Sequence, residues 1–144
     1  MSAVGIIEAS WCQETERELM IGIRREVFVV EQDVPIEIEL DGADPDCRHL
    51  LAFDPHGRAI GTARMQASGH IGRIAVVADW RKRRVGSRLV EAMIERARAA
   101  GLESVDLDSQ VHALGFYEKL GFGARGDVFM EAGIPHQNMV KRLD

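Results

Sequence analysis

The densest chemical feature of this 144-residue chain is Arg81-Lys82-Arg83-Arg84-Val85-Gly86-Ser87. It follows an apolar run ending near Val77 and precedes a strongly periodic segment that starts near Val85. If that segment is a helix, four cations crowd its N-terminal end, where each is disfavoured by about 0.3–1 kcal/mol. An anion bound there reverses the penalty, because first-turn amides and the helix dipole already attract one. Gly86 removes a Cβ where the backbone would approach that anion. The run therefore points to a phosphate-bearing cofactor at a strand–loop–helix junction; a solvated turn or a nonspecific nucleic-acid patch are the plainer alternatives. No metal is expected. Cys12 and Cys47 form no CxxC pair or His-rich spacing, and Asp41-Gly42-Ala43-Asp44-Pro45-Asp46 lacks the alternation of a calcium loop.

The elements that must position this loop follow from periodicity. Ile6 to Trp11 reads as a strand, and Leu19, Ile23, Val27 and Val30 mark an amphipathic helix from Glu14 to about Val30. Helix should stop in the acidic stretch Glu31 to Asp46, which contains Pro35 and Pro45. Leu50 to Phe53 and Ala59 to Met65 flank the turn signal Asp54-Pro55-His56-Gly57, giving a hairpin. Ser68-Gly69 turns the chain into a strand from about His70 to Val77. Val85, Leu89, Met93 and Ala97 then define a helix capped by Gly101, with Met20 and Met93 as core residues. A strand at Val105 to Asp108 and a helix from His112 to Leu120, closed by Gly121, come next. Two last strands, Ala124–Phe129 and His136–Val140, are separated by a break at Gly133-Ile134-Pro135. The order β-α-β-β-β-α-β-α-β-β describes one α/β (α+β) domain, a mixed sheet with helices on its faces.

With the loop in this setting, the chain resembles a known family. Ile74 through Ser87 resembles the acetyl-CoA motif of the GNAT N-acetyltransferases, (Q/R)-x-x-G-x-(G/A), except that Arg84 stands where glycine is usual. Phe116-Tyr117-Glu118-Lys119-Leu120-Gly121-Phe122 is similar to the family's second hallmark, FY-x-x-x-GF. Val27-Phe28-Val29-Val30-Glu31-Gln32 and Glu131-Ala132-Gly133-Ile134-Pro135-His136 resemble the small bacterial subgroup typified by ElaA. The resemblance implies acetyl transfer from acetyl-CoA to an amine in a ternary complex, without a covalent enzyme intermediate. It implies a sheet splayed between the strands at 74–77 and 105–108, with pantetheine between them.

By the same resemblance, Arg81, Lys82, Arg83, Arg84, Val85, Gly86 and Ser87 form the cofactor loop, with the amides of Arg83, Val85, Gly86 and Ser87 on the pyrophosphate. Ile74, Ala75 and Val76 form the cofactor strand; the Ile74 N–H would polarise the thioester carbonyl and Val76 would pair with pantetheine. Tyr117, the only tyrosine, occupies the position of the acid that protonates the departing thiolate. His70 falls where some members place a base, and an imidazole titrating near pH ~6.5 suits that task. Its other reading is an exposed residue beside the Ser68-Gly69 turn. Glu31, Asp33, Glu37, His49, Glu131 and His136 are rival bases. Glu31, Asp33 and Glu37 also border the implied acceptor pocket, where acidity suits a cationic acceptor. At Arg84 either the backbone stays in an ordinary region or the loop is strained, and the guanidinium could instead add a charge-assisted phosphate contact. Trp80 could cover the adenine, and Gln110 and His112 lie near the implied pantetheine exit.

Composition bounds the rest. The chain is 46% hydrophobic and 28% charged, with a net charge of −5. That balance argues against a surface built wholly for nucleic acid or anionic lipid. No apolar run approaches the ~20 residues of a membrane helix, and residues 1–11 carry no signal-peptide pattern, so a cytoplasmic protein with reduced thiols is expected. A single domain over residues 1–144 is expected too, and a homodimer is the default assembly. A non-catalytic acyl-CoA sensor and a nucleic-acid module using Arg81–Arg84 remain the competing functions.

Overall fold

The computed structural model describes residues 4–143. Seven strands form one sheet in the order β1-β2-β3-β4-β5-β7-β6. They are β1 (Gly5–Ala9), β2 (Arg48–Phe53), β3 (Ala59–Met65), β4 (His70–Val76), β5 (Ser104–Gln110), β6 (Gly123–Glu131) and β7 (Ile134–Arg142). Every neighbouring pair is antiparallel except β4 and β5. Those two are parallel and pair only at His70↔Asp106 and Ile71↔Leu107. Beyond Ile71 they diverge, which opens a wedge in the middle of the sheet. No helix among the described residues is long and apolar enough to cross a membrane.

Two helices cover opposite faces of the wedge's upstream half. Helix α3 (Val85–Ala99) buries Val85, Leu89, Val90, Met93, Ile94 and Ala97 on one stripe. It sits close to β3: a Cβ on Gly61 would lie 3.1 Å from Leu89 Cδ1 and 3.2 Å from Val85 Cγ1. Side chains alternate across a strand, so Thr62 and Arg64 face the other side, where α1 (Glu14–Arg24) buries Met20, Ile23 and Arg24. Gly101, at φ +80°, closes α3 as expected, its N–H and that of Leu102 donating to the Arg98 and Ala97 carbonyls.

Four local expectations need correction. The first helix is α-helical only to Arg24 and continues as a π-helix over Arg25–Glu31. That stretch holds three β-branched residues, which are weak α-formers. The acidic segment is not helix-free, since Pro35 precedes a single turn, α2 (Ile36–Glu39), and Pro45 lies in a 3₁₀ turn (Asp44–Asp46). Proline is tolerated at a helix start because its missing N–H has no partner there. The second late helix splits into a 3₁₀ turn (Val111–Ala113) and α4 (Leu114–Glu118). The break between β6 and β7 is a two-residue turn at Ala132-Gly133, both at positive φ, and Ile134 and Pro135 already belong to β7.

Candidate functional site

The basic loop folds into a cleft. Val76, Trp80, Arg81, Lys82, Arg84, Val85, Gly86, Ser87 and Phe116 line a space of about 380 Å³ at the start of α3. No side chain caps this helix, so its first-turn amides are left for a ligand or solvent. Arg84 resolves the question raised by the missing glycine: its φ is +67°, in the left-handed region, and Lys82 two residues earlier is at +62°. The conformation favoured by glycine is kept and the side chain is forced into it, at about 1–2 kcal/mol. Glycine's greater freedom when unfolded offsets about 0.5–1 kcal/mol of that. Arg84→Gly is therefore expected to raise stability by up to about 1.5 kcal/mol in thermal unfolding; a clear loss would contradict the strain.

The remaining loop cations are partly engaged. The Arg81 guanidinium pairs bidentately with Glu31 at 2.8 Å and 2.8 Å, and its Nε donates to the Val76 carbonyl at 2.9 Å. Arg83 lies over the Trp80 ring at 4.8 Å. Glu31, the end of the π-helix, thus bears on the basic loop.

A second cavity, of about 500 Å³, opens next along β4 in the wedge. Its wall includes His70, Ile74, Asp108, Gln110 and Tyr117 from the sheet and its connections, and Phe28, Gln32, Val34, Ile38, Glu39 and Asp41 from the segment after α1. A bulge shapes the shared strand: Thr62 faces Ala75 and Arg64 faces Gly72, leaving Arg73 and Ile74 opposite Ala63 alone. Arg73 takes φ +49° there and reaches across the cavity to the carbonyls of Ile38 and Glu39 at 3.2 Å and 3.0 Å. Ile74 lines this cavity, Val76 the loop cleft, and Ala75 between them is buried.

His70 is not an exposed turn residue. Its side chain is 29% exposed and turned toward β5, with Nδ1 2.9 Å from Asp106 Oδ2 and Nε2 3.7 Å from Asp108 Oδ2. A carboxylate on Nδ1 holds that nitrogen protonated and leaves Nε2 to exchange a proton. Tyr117 projects into the same cavity, its ring edge-on to Phe116 and Phe122 at 4.9 Å and 6.0 Å. Burial pushes its phenol up to about 12, so it keeps its proton throughout the neutral and mildly alkaline range.

The acidic segment does something other than present free charge. Glu39, Asp41 and Asp44 are matched by Arg24, Arg64 and Arg73. Arg24 contacts Glu39 Oε1 at 2.5 Å and Asp44 at 2.7 Å and 3.1 Å, while Arg64 contacts Asp41 at 2.9 Å and 2.6 Å and Asp44 at 3.0 Å. Arg73 adds a bond to Asp41 at 3.2 Å. Asp33 and Glu37 are exposed, and neither they nor Glu31 contribute to the cavity wall. His49 is buried beneath the network, its Nε2 donating to the Asp44 carbonyl at 2.8 Å and its ring stacked on Trp11 at 5.1 Å. Glu131 and His136 do line the cavity, 3.7 Å apart. Gln110 bonds Gln32 at 3.0 Å and His112 at 2.7 Å.

Sequence reasoning passed over Asp106, Asp108 and Asn138. The alternation Val105-Asp106-Leu107-Asp108 was the available signal, because period two in a strand puts both carboxylates on one face.

This arrangement has known counterparts. The family model described as "Acetyltransferase (GNAT) domain" matches residues 20–143. A Bacillus subtilis relative named as a candidate acetyltransferase, BSU40680, is 40% identical over 128 residues, covering 85% of this chain and 86% of that protein. The crystal structure of an acyl-CoA N-acyltransferase from Pseudomonas aeruginosa superposes with a TM-score of 0.85 at 29% identity, over 96% of this chain and 99% of that one. Escherichia coli ElaA superposes with a TM-score of 0.84 at 29% identity, over 96% and 98% of the two chains. A seven-stranded mixed sheet flanked by helices is thus a fold shared with these structures. The chain belongs to the GNAT acetyltransferase family and is an acyltransferase enzyme.

Proposed function

We propose that the donor is acetyl-CoA and that acetyl passes directly to a primary amine, on a small molecule or a polypeptide, within a ternary complex. The observation that carries this reading is the adjacency of the two clefts along β4. One ends on an uncapped helix terminus ringed by cations, and the other holds an imidazole and a phenol. The phosphates fit the first, with Gly86 and Ser87 amides as donors and Lys82 and Arg84 as flanking charges. The thioester then lies along β4, where the Ile74 N–H can polarise its carbonyl as negative charge develops on oxygen. In the second cleft, His70 Nε2 takes a proton from the bound ammonium, and the freed lone pair attacks the carbonyl carbon. The C–S bond breaks, the departing thiolate takes the Tyr117 proton, and the second proton that the product nitrogen must lose returns through solvent to the Tyr117 phenolate.

The donor site has its own test. A Cβ on Gly86 would meet only ordinary contacts, Phe116 Cζ at 3.5 Å and Val76 Cγ2 at 3.9 Å. Alanine is also the better helix former by about 1 kcal/mol. Gly86→Ala should therefore melt no lower than the wild type and, since the motif accepts alanine at this position, keep its acetyl-CoA affinity, whereas Gly86→Glu, which sets a carboxylate on the anion site, should bind acetyl-CoA at least about tenfold more weakly in calorimetry, equivalent to about 1.4 kcal/mol. Unchanged affinity in Gly86→Glu would remove the pyrophosphate from this cleft.

A further inference from the structure

The sheet register builds a row of polar side chains across four strands. His70 on β4 faces Asp106 on β5, Asp108 on β5 faces Asn138 on β7, and Asn138 faces Arg125 on β6. The Asn138 amide nitrogen lies 3.1 Å from Asp106 Oδ2, 2.9 Å from Asp108 Oδ1 and 3.2 Å from the Leu107 carbonyl. Its oxygen accepts from Arg125 Nε at 2.9 Å. A guanidinium only donates, so Arg125 fixes which end of the amide turns toward the carboxylates. One side chain thereby spans two acids that would otherwise repel each other, and sets each beside a different nitrogen of His70.

The two acids then have different work. Asp106 Oδ2 is within hydrogen-bond distance of Nδ1. Asp108 Oδ2 is 3.7 Å from Nε2, too far for a direct bond. A single nitrogen atom can lie at about 2.8 Å from both of those atoms. Asp108 and His70 line the acceptor cavity, whereas Glu39 and Asp41 on its opposite wall are already matched by arginines. We infer that Asp108 is the carboxylate that receives the acceptor's ammonium beside His70 Nε2. Asn138 is the positioning residue that keeps Asp106 and Asp108 on the two sides of the imidazole. This rests on the reading of His70 as the base. The ammonium gives one proton to Nε2, the Nδ1 proton stays on its nitrogen toward Asp106, and the amine lone pair is released within reach of the thioester.

The test uses the full-length protein with n-butylammonium chloride, followed at the imidazole resonance that disappears in His70→Ala. A saturable shift is expected in the wild type, with affinity at least about tenfold weaker in Asp108→Asn and in Asn138→Ala. Under turnover, the same two variants should raise KM for the amine by a similar factor and leave KM for acetyl-CoA unchanged. No saturable shift in the wild type, or equal affinity and equal amine KM in Asp108→Asn, overturns the inference. If Asp108→Asn behaves as predicted and Asn138→Ala is folded with wild-type butylammonium affinity, the positioning role is overturned. Loss of turnover in His70→Ala alongside a silent Asp108→Asn would sink this inference and spare the base. Full turnover in His70→Ala would remove both.

Discussion

Arg24→Ala is expected to lower the unfolding free energy by about 3–5 kcal/mol, the usual consequence of removing one partner from a buried ion pair. The Arg24 side chain is 1% exposed and is the common partner of Glu39 and Asp44, which are 2% and 4% exposed. It also lies over the Trp11 ring at 5.4 Å. Without it, Glu39 keeps only the more distant Arg73 Nε at 3.5 Å, and Asp44 keeps Arg64. Urea unfolding at pH 7 measures the loss directly, and a change under about 1 kcal/mol would mean that the network is dispensable.

The acid side of the stability curve follows from the same network. Burial pushes the Asp44 carboxyl up, but the hydrogen bonds and charges of Arg24 and Arg64 outweigh it and hold it below the usual carboxylate range. The Arg64 hydrogen bond holds Asp41 well below that range too. A depressed carboxylate contributes stability above its unfolded value near ~4, and that contribution is lost as the pH falls through the folded value. The wild type should therefore keep this contribution down to about pH 4. In Arg24→Ala, burial acts on Asp44 against a single arginine, so its depression, and the stability lost on acidification through it, should both be smaller than in the wild type.

His70→Ala should reduce kcat by about 10²–10⁴-fold, the ordinary contribution of a positioned general base. The loop cleft does not include His70, so KM for acetyl-CoA should stay near the wild-type value. That split separates a lost base from a collapsed site. Wild-type kcat in His70→Ala across pH 6–9 would exclude the imidazole from proton transfer, and Glu131 and His136, which line the same cavity, would be the next side chains to replace.

The parts of this account legible in the sequence were those with local causes. Arg81–Ser87 reads as a candidate anion site because the charge density, the glycine and the following helix are neighbours in the chain, and the structure gathers them around one cleft. The Asp54–Gly57 turn and the Gly101 cap are equally local, and both hold in the structure. The acidic segment misled for the opposite reason. Glu39, Asp41 and Asp44 look unpartnered along the chain, and their arginines lie 15 to 34 positions away. Charge that reads as an attraction for a cationic ligand is consumed in fastening the cavity wall to the sheet. The Asp106–Asp108–Asn138 row was hidden by the same limitation, since it depends on the registers of β4, β5 and β7 and no local pattern specifies them.

The net charge of −5 thus conceals three arrangements: a basic cleft, a balanced buried network and a carboxylate beside an imidazole. The central claim is that these act together in acyl transfer from acetyl-CoA to an amine. The most direct measurement is release of the CoA thiol from acetyl-CoA by the wild-type protein over a panel of primary amines. Amine-dependent, saturable release that falls by at least about 10²-fold in His70→Ala is the predicted result. Tight acetyl-CoA binding with no amine-dependent thiol release would contradict it and leave the chain as a binder of its donor.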